Sequence, residues 1–409
     1  MRKMKDSGVE WIGEIPKDWN CMRLKFAFGN SNVGESVDKE LYSSDENGYI
    51  FYTAGANPVK TSYTEFPMWK YTTDNDILLA RNGTPYIYLP SKDAVYSDHI
   101  IRINIKDGYC RRFLRYCLQR SIESIIVDSV SIATWSISLW KEQKLPLPYY
   151  HEQKYLADYL DSKCSKIDEI IEKQQAIIKK LKEYKFSIIT EAVTKGINPD
   201  VELKDSTIDM CEQIPVHWGI SQNRYLFSLR DEKNYKPLEE VRLLSLYTDL
   251  GVFPHGEQEE RGNKAVKAEG YKVVYENDIV VNIILAWMGA IGRSAYDGVT
   301  SPAYDIYKPN ENVCSRYYHY LYRTKPFSAE CYKYGRGIMA MRWRTYSSEF
   351  KSIKVPVPPY IEQCQIADYL DSKCEMLDKT IADRNKAIDI LQEYKKSLIY
   401  EVVTGKKEV

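Results

Sequence analysis

The chain has 409 residues, more than one ordinary domain needs, and 44% of them are hydrophobic, enough for more than one core. Its 57 Lys and Arg are balanced by 57 Asp and Glu, which excludes a simple polycation. A chain so balanced can hold nucleic acid only by clustering its bases or by sharing the phosphates with partner chains. Met1–Gly8 is charged and polar with no apolar core behind it, and no apolar run approaches the ~20 residues of a membrane span, so the expected compartment is cytoplasmic. Nine Cys without a CxxC pair fit reduced, buried thiols. The 34 Tyr outnumber the 10 Phe, which suits binding surfaces where a ring keeps its hydroxyl at water or at a partner.

The chain opens on Gly13-Glu14-Ile15-Pro16-Lys17-Asp18-Trp19. Next comes Lys60-Thr61-Ser62-Tyr63, then the apolar run Asp76–Ala80, which predicts a short strand after a polar turn. Arg81-Asn82-Gly83-Thr84-Pro85-Tyr86 follows as a loop, with Lys92 beyond it. Ile100–Ile105 alternates imperfectly, as a half-buried strand does, and Tyr109–Arg120 is a short helix candidate. From Pro146 to Thr194 the pattern is helical and stops at Gly196.

The series then begins again. Ile214-Pro215-Val216-His217-Trp218 echoes Ile15–Trp19 at an offset of 199. A strand is expected at Asp278–Val281, then the loop Ala286-Trp287-Met288-Gly289-Ala290-Ile291-Gly292-Arg293, then a helix at Val313–Thr324 that shares Cys and Arg positions with the first (Cys110/Cys314, Arg112/Arg316). Lys333–Arg344 carries Arg336, Arg342 and Arg344 with no acid among them. The helical pattern returns from Pro356 to Thr404, without a gap, at an offset of 210, repeating "ADYLDSKC" from Ala157–Cys164 at Ala367–Cys374. The offsets of 199 and 210 make the two bodies 11 residues different in length. Each half is therefore a diverged body followed by a constant helix.

The constant helices show a seam of period 3.5: Leu160, Cys164, Ile167, Ile171, Gln174, Ile178, Leu181 and Ile188, interrupted at Lys185, and its copy from Leu370 through Leu377, Arg384 and Leu391 to Leu398, interrupted at Lys395. Antiparallel pairing sets Leu160 opposite Leu398, Ile167 opposite Leu391, Leu181 opposite Leu377, and the polar Gln174 opposite Arg384. The alternative is that each helix packs only on its own body.

Catalytic and cofactor motifs are absent. Val357-Pro358-Pro359-Tyr360 resembles the aromatic tetrapeptide of amino-methyltransferases, but Val357 has no side-chain acceptor for the target amino group. Asp200 and Glu202 are too close in sequence to come from separate strands, as a nuclease metal site needs. No phosphate loop, HExxH or paired Cys/His metal cluster occurs, and Gly289-Ala290-Ile291-Gly292 is too short for a dinucleotide site.

Two diverged bodies alternating with two near-identical helices, the opening Gly13–Trp19, the junctions Pro146-Leu147-Pro148…Glu152-Gln153 and Pro356-Val357-Pro358…Glu362-Gln363, and the doubled Ala-Asp-Tyr-Leu-Asp resemble, over essentially the whole chain, the specificity subunits of type I restriction–modification systems. Trp287-Met288-Gly289…Gly298…Ser301-Pro302-Ala303-Tyr304 is similar to one recurrent class of target recognition domain. The resemblance implies an α+β fold with pseudo-twofold symmetry. Target recognition domains are expected at residues 1–147 and 197–357, and helical spacers paired as an antiparallel coiled coil at 148–196 and 358–409. It implies a non-catalytic reader of a bipartite, asymmetric DNA site, whose helices set the spacer and dock two methylation subunits. Restriction subunits would join them. S-adenosylmethionine, ATP and Mg would belong to those partners, with no cofactor or metal in this chain.

Base reading needs Arg, Asn or Lys on loops with Gly and aromatics. The candidate contacts are accordingly Lys60, Tyr63, Arg81, Asn82, Thr84, Lys92, Trp287, Met288, Arg293, Ser301, Tyr304, Arg336, Arg342 and Arg344. The rival readings are a structural coiled-coil interaction protein and the specificity subunit of a related type II methyltransferase–nuclease. A lone polar layer fixes register at a cost in stability. Replacing Gln174 and Arg384 together by Leu is expected to raise the melting temperature and loosen helix orientation, read by thermal unfolding and site-directed cross-linking.

Overall fold

The computed structural model describes residues 2–43, 48–127, 134–248, 250–256, 268–337 and 343–409. The chain divides into two compact units, one of Met1–Gln175 with Asn385–Val409 and the other of Ala176–Arg384.

The first unit is built on an antiparallel sheet of four strands: β1 (Phe28–Val33), β2 (Asp76–Ala80), β3 (Ile87–Tyr88) and β4 (Ile100–Ile105), in the order β1-β4-β2-β3. β2 is buried at all five residues, which is why it reads as a continuous apolar run, whereas β4 alternates because one face is half exposed. Beneath the sheet lies α1 (Arg111–Val127), longer than the helix expected at Tyr109–Arg120. A second sheet joins Tyr42–Ser43, Tyr49–Tyr52, Val59–Thr61 and Val95–Tyr96 around Phe51, Phe66 and Val95.

The first long helix, α2 (Tyr150–Lys195), begins in this unit and ends in the other. The second unit repeats the sheet order with β5 (Phe227–Arg230), β6 (Ile279–Asn282), β7 (Ile291–Arg293) and β8 (Tyr304–Pro309), arranged β5-β8-β6-β7. The predicted helix at Val313–Thr324 is α3 (Ser315–Tyr322), and α4 (Lys325–Tyr334) follows it. Thr324 caps α4 by accepting from the Phe327 backbone N–H. The second long helix is α5 (Tyr360–Val403).

Both long helices are unbroken, at 46 and 44 residues, and no Pro or Gly lies inside them. Both end at left-handed glycines, Gly196 at φ +80 and Gly405 at φ +71. A Cβ on Gly405 would lie 2.6 Å from the Pro16 ring and 3.0 Å from Trp19, so this stop also needs the space.

The helices pair within each unit. In the first, Leu160, Ile167, Leu391 and Leu398 share one core with Trp19, Leu114 and Trp140. In the second, Ile188 and Val193 share a core with Ile366 and Leu370. The two seam interruptions have a common explanation. Lys185 reaches Asp378 at 2.6 Å and Lys395 reaches Asp168 at 2.6 Å, so each ammonium crosses to the opposite helix.

Body and helix are joined the same way in both units. A short strand before each helix, Lys144–Leu147 or Lys354–Val357, pairs with the strand that follows the opening Trp. Buried Gln153 accepts from the Cys110 backbone N–H at 2.9 Å and donates to the Pro148 carbonyl at 2.9 Å; Gln363 does the same with Cys314 and Pro358, both at 2.9 Å. Further out, Arg112 pairs with Asp158 and Asp161, and Arg316 with Asp368 and Asp371. Tyr116 and Tyr320 donate to the second carboxylate of each set.

Orphaning one buried polar group costs about 1–3 kcal/mol, whereas exposed ion pairs contribute about 0–1 kcal/mol. Gln153→Leu and Gln363→Leu are therefore expected to lower the melting temperature by several degrees, and Arg112→Met by clearly less. Scanning calorimetry of the three variants checks the ranking.

Candidate nucleic-acid interface

In each body, one end of the four-stranded sheet carries part of the loops that the sequence points to. Antiparallel pairing sets Ala80 of β2 against Ile100 of β4, so Arg81-Asn82-Gly83-Thr84 leaves the sheet beside Asp98-His99. The Arg81 N–H donates to the His99 carbonyl at 2.8 Å, and its guanidinium donates to the Asp98 carbonyl at 3.1 Å. The Asn82 amide meets His99 Nδ1 at 2.8 Å. Gly83 sits at φ +66 at the exposed tip. The Trp135 N–H closes the cluster by donating to the Arg81 carbonyl. Arg81 is thus held at its base, while Thr84 and His99 are exposed.

The second body repeats the geometry with different side chains. Asn282 of β6 lies opposite Tyr304 of β8, and the Thr345 N–H donates to the Ile283 carbonyl at 2.9 Å, as Trp135 does to Arg81. The Asn282 side chain accepts from the Ile284 N–H at 3.0 Å and starts a tight turn that ends at Gly289, φ +87. That turn projects Met288 into solvent and sets Trp287 against Tyr332, with ring centres 5.8 Å apart. Tyr332 stacks in turn on Trp343 at 4.8 Å. Arg336 and Arg344 bridge each other through their backbones at 2.9 and 3.0 Å, directly beyond this aromatic row. Arg336 pairs with the largely buried Glu349. Gly335 is required there, since a Cβ would lie 2.6 Å from Trp343 Nε1.

The structure thus brings together Arg81, Asn82 and Thr84 in one body, and Trp287, Met288, Tyr304, Arg336 and Arg344 in the other. His99, Tyr332 and Trp343 join these clusters and were not among the sequence candidates. Ser301 precedes Tyr304 in the turn into β8, where its hydroxyl accepts from the Ala303 N–H. The remaining candidates lie elsewhere. Lys60 and Tyr63 belong to the second sheet and the turn after it, with Tyr63 edge-on to Phe66 at 4.8 Å. Lys92 is exposed in the turn before Val95–Tyr96. Arg293 faces Ile279, at the other end of β6, where it donates to Asn277 at 2.8 Å. Arg342 lies outside the described residues.

Among the described residues no group of His, Cys, Asp or Glu could hold a metal ion, and no helix is long and apolar enough to cross a membrane.

Residues 16–191 match the family model of the type I restriction modification DNA specificity domain. Two relatives from Methanocaldococcus jannaschii align over nearly their whole length. The putative type I restriction enzyme MjaX specificity subunit is 25% identical over 97% of this chain and 96% of its own. The type I restriction enzyme MjaVIII specificity subunit is 23% identical over 97% and 94%. In fold, the chain is similar to one from a structure of a type I restriction–modification system (TM-score 0.68, 12% identity, 96% of this chain and 99% of that one). It is also similar to the HsdS subunit of Thermoanaerobacter tengcongensis (TM-score 0.51, 14% identity, 98% and 100%). The chain is thus similar, in part of its sequence and over its whole fold, to the specificity subunits of type I restriction–modification systems.

One titration touches this body. His319 accepts the Arg293 backbone N–H on Nδ1 at 3.1 Å, and burial, reinforced by the Arg323 and Arg293 charges, pushes its pKa from 6.5 down to about 3. Below pH 6.5 the unfolded chain takes up a proton that the folded chain refuses. The stability involved is therefore complete above that pH and lost progressively as pH falls toward about 3. His319→Gln is expected to show a smaller fall in melting temperature than the parent between about pH 7 and about pH 5, where this proton uptake operates.

Proposed function

We propose that the chain is the DNA-reading subunit of a type I restriction–modification assembly, and that each body reads one half of a bipartite, asymmetric target. The observation that carries this reading is the doubled sheet, whose equivalent strand ends display different side chains: Arg81, Asn82 and Thr84 in one body, Trp287, Met288, Arg336 and Arg344 in the other. Equal scaffolds with unequal loops suit two unlike half-sites, because base edges are read by the particular donors and acceptors presented to them. The paired helices set the number of unread base pairs between the halves. They also dock two methylation subunits, which hold S-adenosylmethionine and flip the target adenine. Restriction subunits, with ATP and Mg, cleave DNA that lacks the methyl mark. The chain itself contributes recognition and no bond-making step. Its balanced charge suits that role, since partners share the phosphate contact.

Co-expression with the cognate methylation subunit is expected to yield a complex of two methylation subunits per chain that methylates a split site. Exchanging the body between residues of about 20 and about 145 for that of another specificity subunit should change one half of the methylated sequence and leave the other. Sequencing of methylated genomic DNA reads the outcome, and a change in both halves contradicts the reading.

A further inference from the structure

Few body positions outside the strands keep their character in both copies, and one such pair lies on the surface. Lys25-Phe26 and Arg224-Tyr225 occupy equivalent places, at the offset of 199 that relates the two openings. Each pair sits on a short helical turn leading into the first strand of its sheet. Around each, the neighbours turn inward: Leu24, Ala27 and Phe28 are buried in one body, Asn223, Leu226 and Phe227 in the other. The rings themselves point out, with Phe26 57% and Tyr225 67% exposed.

Both turns are braced from the same directions. The Phe26 carbonyl accepts from Lys106 at 3.3 Å and the Tyr225 carbonyl from Asn310 at 3.0 Å. The Lys106 N–H donates to Ala27, and the Asn310 N–H to Leu226, both at 2.9 Å. The bases are tethered to equivalent positions of the helix-junction segment, Lys25 to Glu142 at 3.0 Å and Arg224 to Ser352 at 2.8 Å. A cation beside an exposed aromatic ring is thus held in place twice, on bodies whose candidate reading loops differ.

Position decides between DNA and protein as the partner. Phe28 pairs with Ile105, whereas the Arg81 loop leaves the sheet at the Ile100 end. Phe227 pairs with Pro309, whereas the Ile283–Met288 turn leaves at the Tyr304 end. In each body the aromatic lies at the opposite end of the strands from the candidate base-reading loops, about five residues or roughly 16 Å away. A surface repeated on two unlike readers, and turned from the loops that read, suits a partner that is present twice and indifferent to target sequence.

We propose that Phe26 with Lys25, and Tyr225 with Arg224, are twin anchor points for the two methylation subunits. Each anchor inserts its ring into an apolar notch flanked by a carboxylate. This rests on the reading of the chain as the subunit that two methylation subunits join, and adds a contact on the bodies themselves. An aromatic anchor contributes about tenfold or more in affinity when removed.

The test titrates the full-length chain with its purified methylation subunit, following stoichiometry and affinity by sedimentation, and measures DNA affinity of the assembled complex separately. Phe26→Ser and Tyr225→Ser are each expected to leave one tight site and weaken the other by about tenfold or more, and the double variant to weaken both. The methylated sequence should be unchanged. Phe26→Tyr and Tyr225→Phe should bind as the parent does. Arg224→Glu, which leaves the ring in place, should weaken one site in the same direction. A double variant that melts like the parent and binds two methylation subunits with the parent's affinity overturns the proposal. So does a loss confined to DNA affinity, which would assign the surface to the duplex. If the parent chain itself binds no methylation subunit, the functional reading beneath the proposal fails first, before any variant is compared.

Discussion

Neither body closes its core alone, and that constraint organises the molecule. The first body's core takes in Leu156, Leu160, Cys164 and Ile167 from the start of α2, together with Leu398, Val402 and Val403 from the end of α5. The second takes in Ile366, Ala367 and Leu370 from the start of α5, and Ala192 and Val193 from the end of α2. A body of this size depends on such added apolar area for its stability. The helices therefore have two tasks, to face each other along a seam and to finish a core at each end. This accounts for the uneven seam. It is apolar where it joins the cores and crossed by the Lys–Asp pairs Lys185–Asp378 and Lys395–Asp168.

The same division of labour separates what is repeated from what varies. Residues that hold body to helix occur twice with the same partners: Gln153 and Gln363, Arg112 and Arg316, Tyr116 and Tyr320. Residues at the far strand ends do not. There one body offers a guanidinium, an amide and an imidazole, and the other an aromatic row with two arginines. The candidate reading loops and the joint to the helix thus lie at different ends of the same strands, so that one can diverge without disturbing the other.

Much of the architecture was legible because it repeats. The offset of 210 placed both long helices, and glycines placed their ends. The strand Asp76–Ala80 was legible because burial on both faces leaves an unbroken apolar run, and Ile100–Ile105 because it alternates. The loops were legible only in part. Arg81, Asn82 and Arg336 attract notice as base readers. Tyr332 and Trp343 do not, because their stacking depends on a bridge between Arg336 and Arg344 that spacing along the chain does not announce. Arg293 stands apart from the other candidates: its Gly-rich setting suggests a reading loop, and strand pairing carries it to the other end of β6. The lysines that interrupt the seam find their carboxylates on the opposite helix, a pairing that spacing along one helix does not show.

The attachment of body to helix bears on how the body can vary. Gln153 and Gln363 each hold a proline carbonyl just before the start of their own helix and accept a backbone N–H from the body, so this part of the latch addresses the body's main chain and not its side chain at that position. Any residue except proline supplies that N–H. A body of different sequence thus finds the same mooring, so its loops can change while its joint to the helix stays.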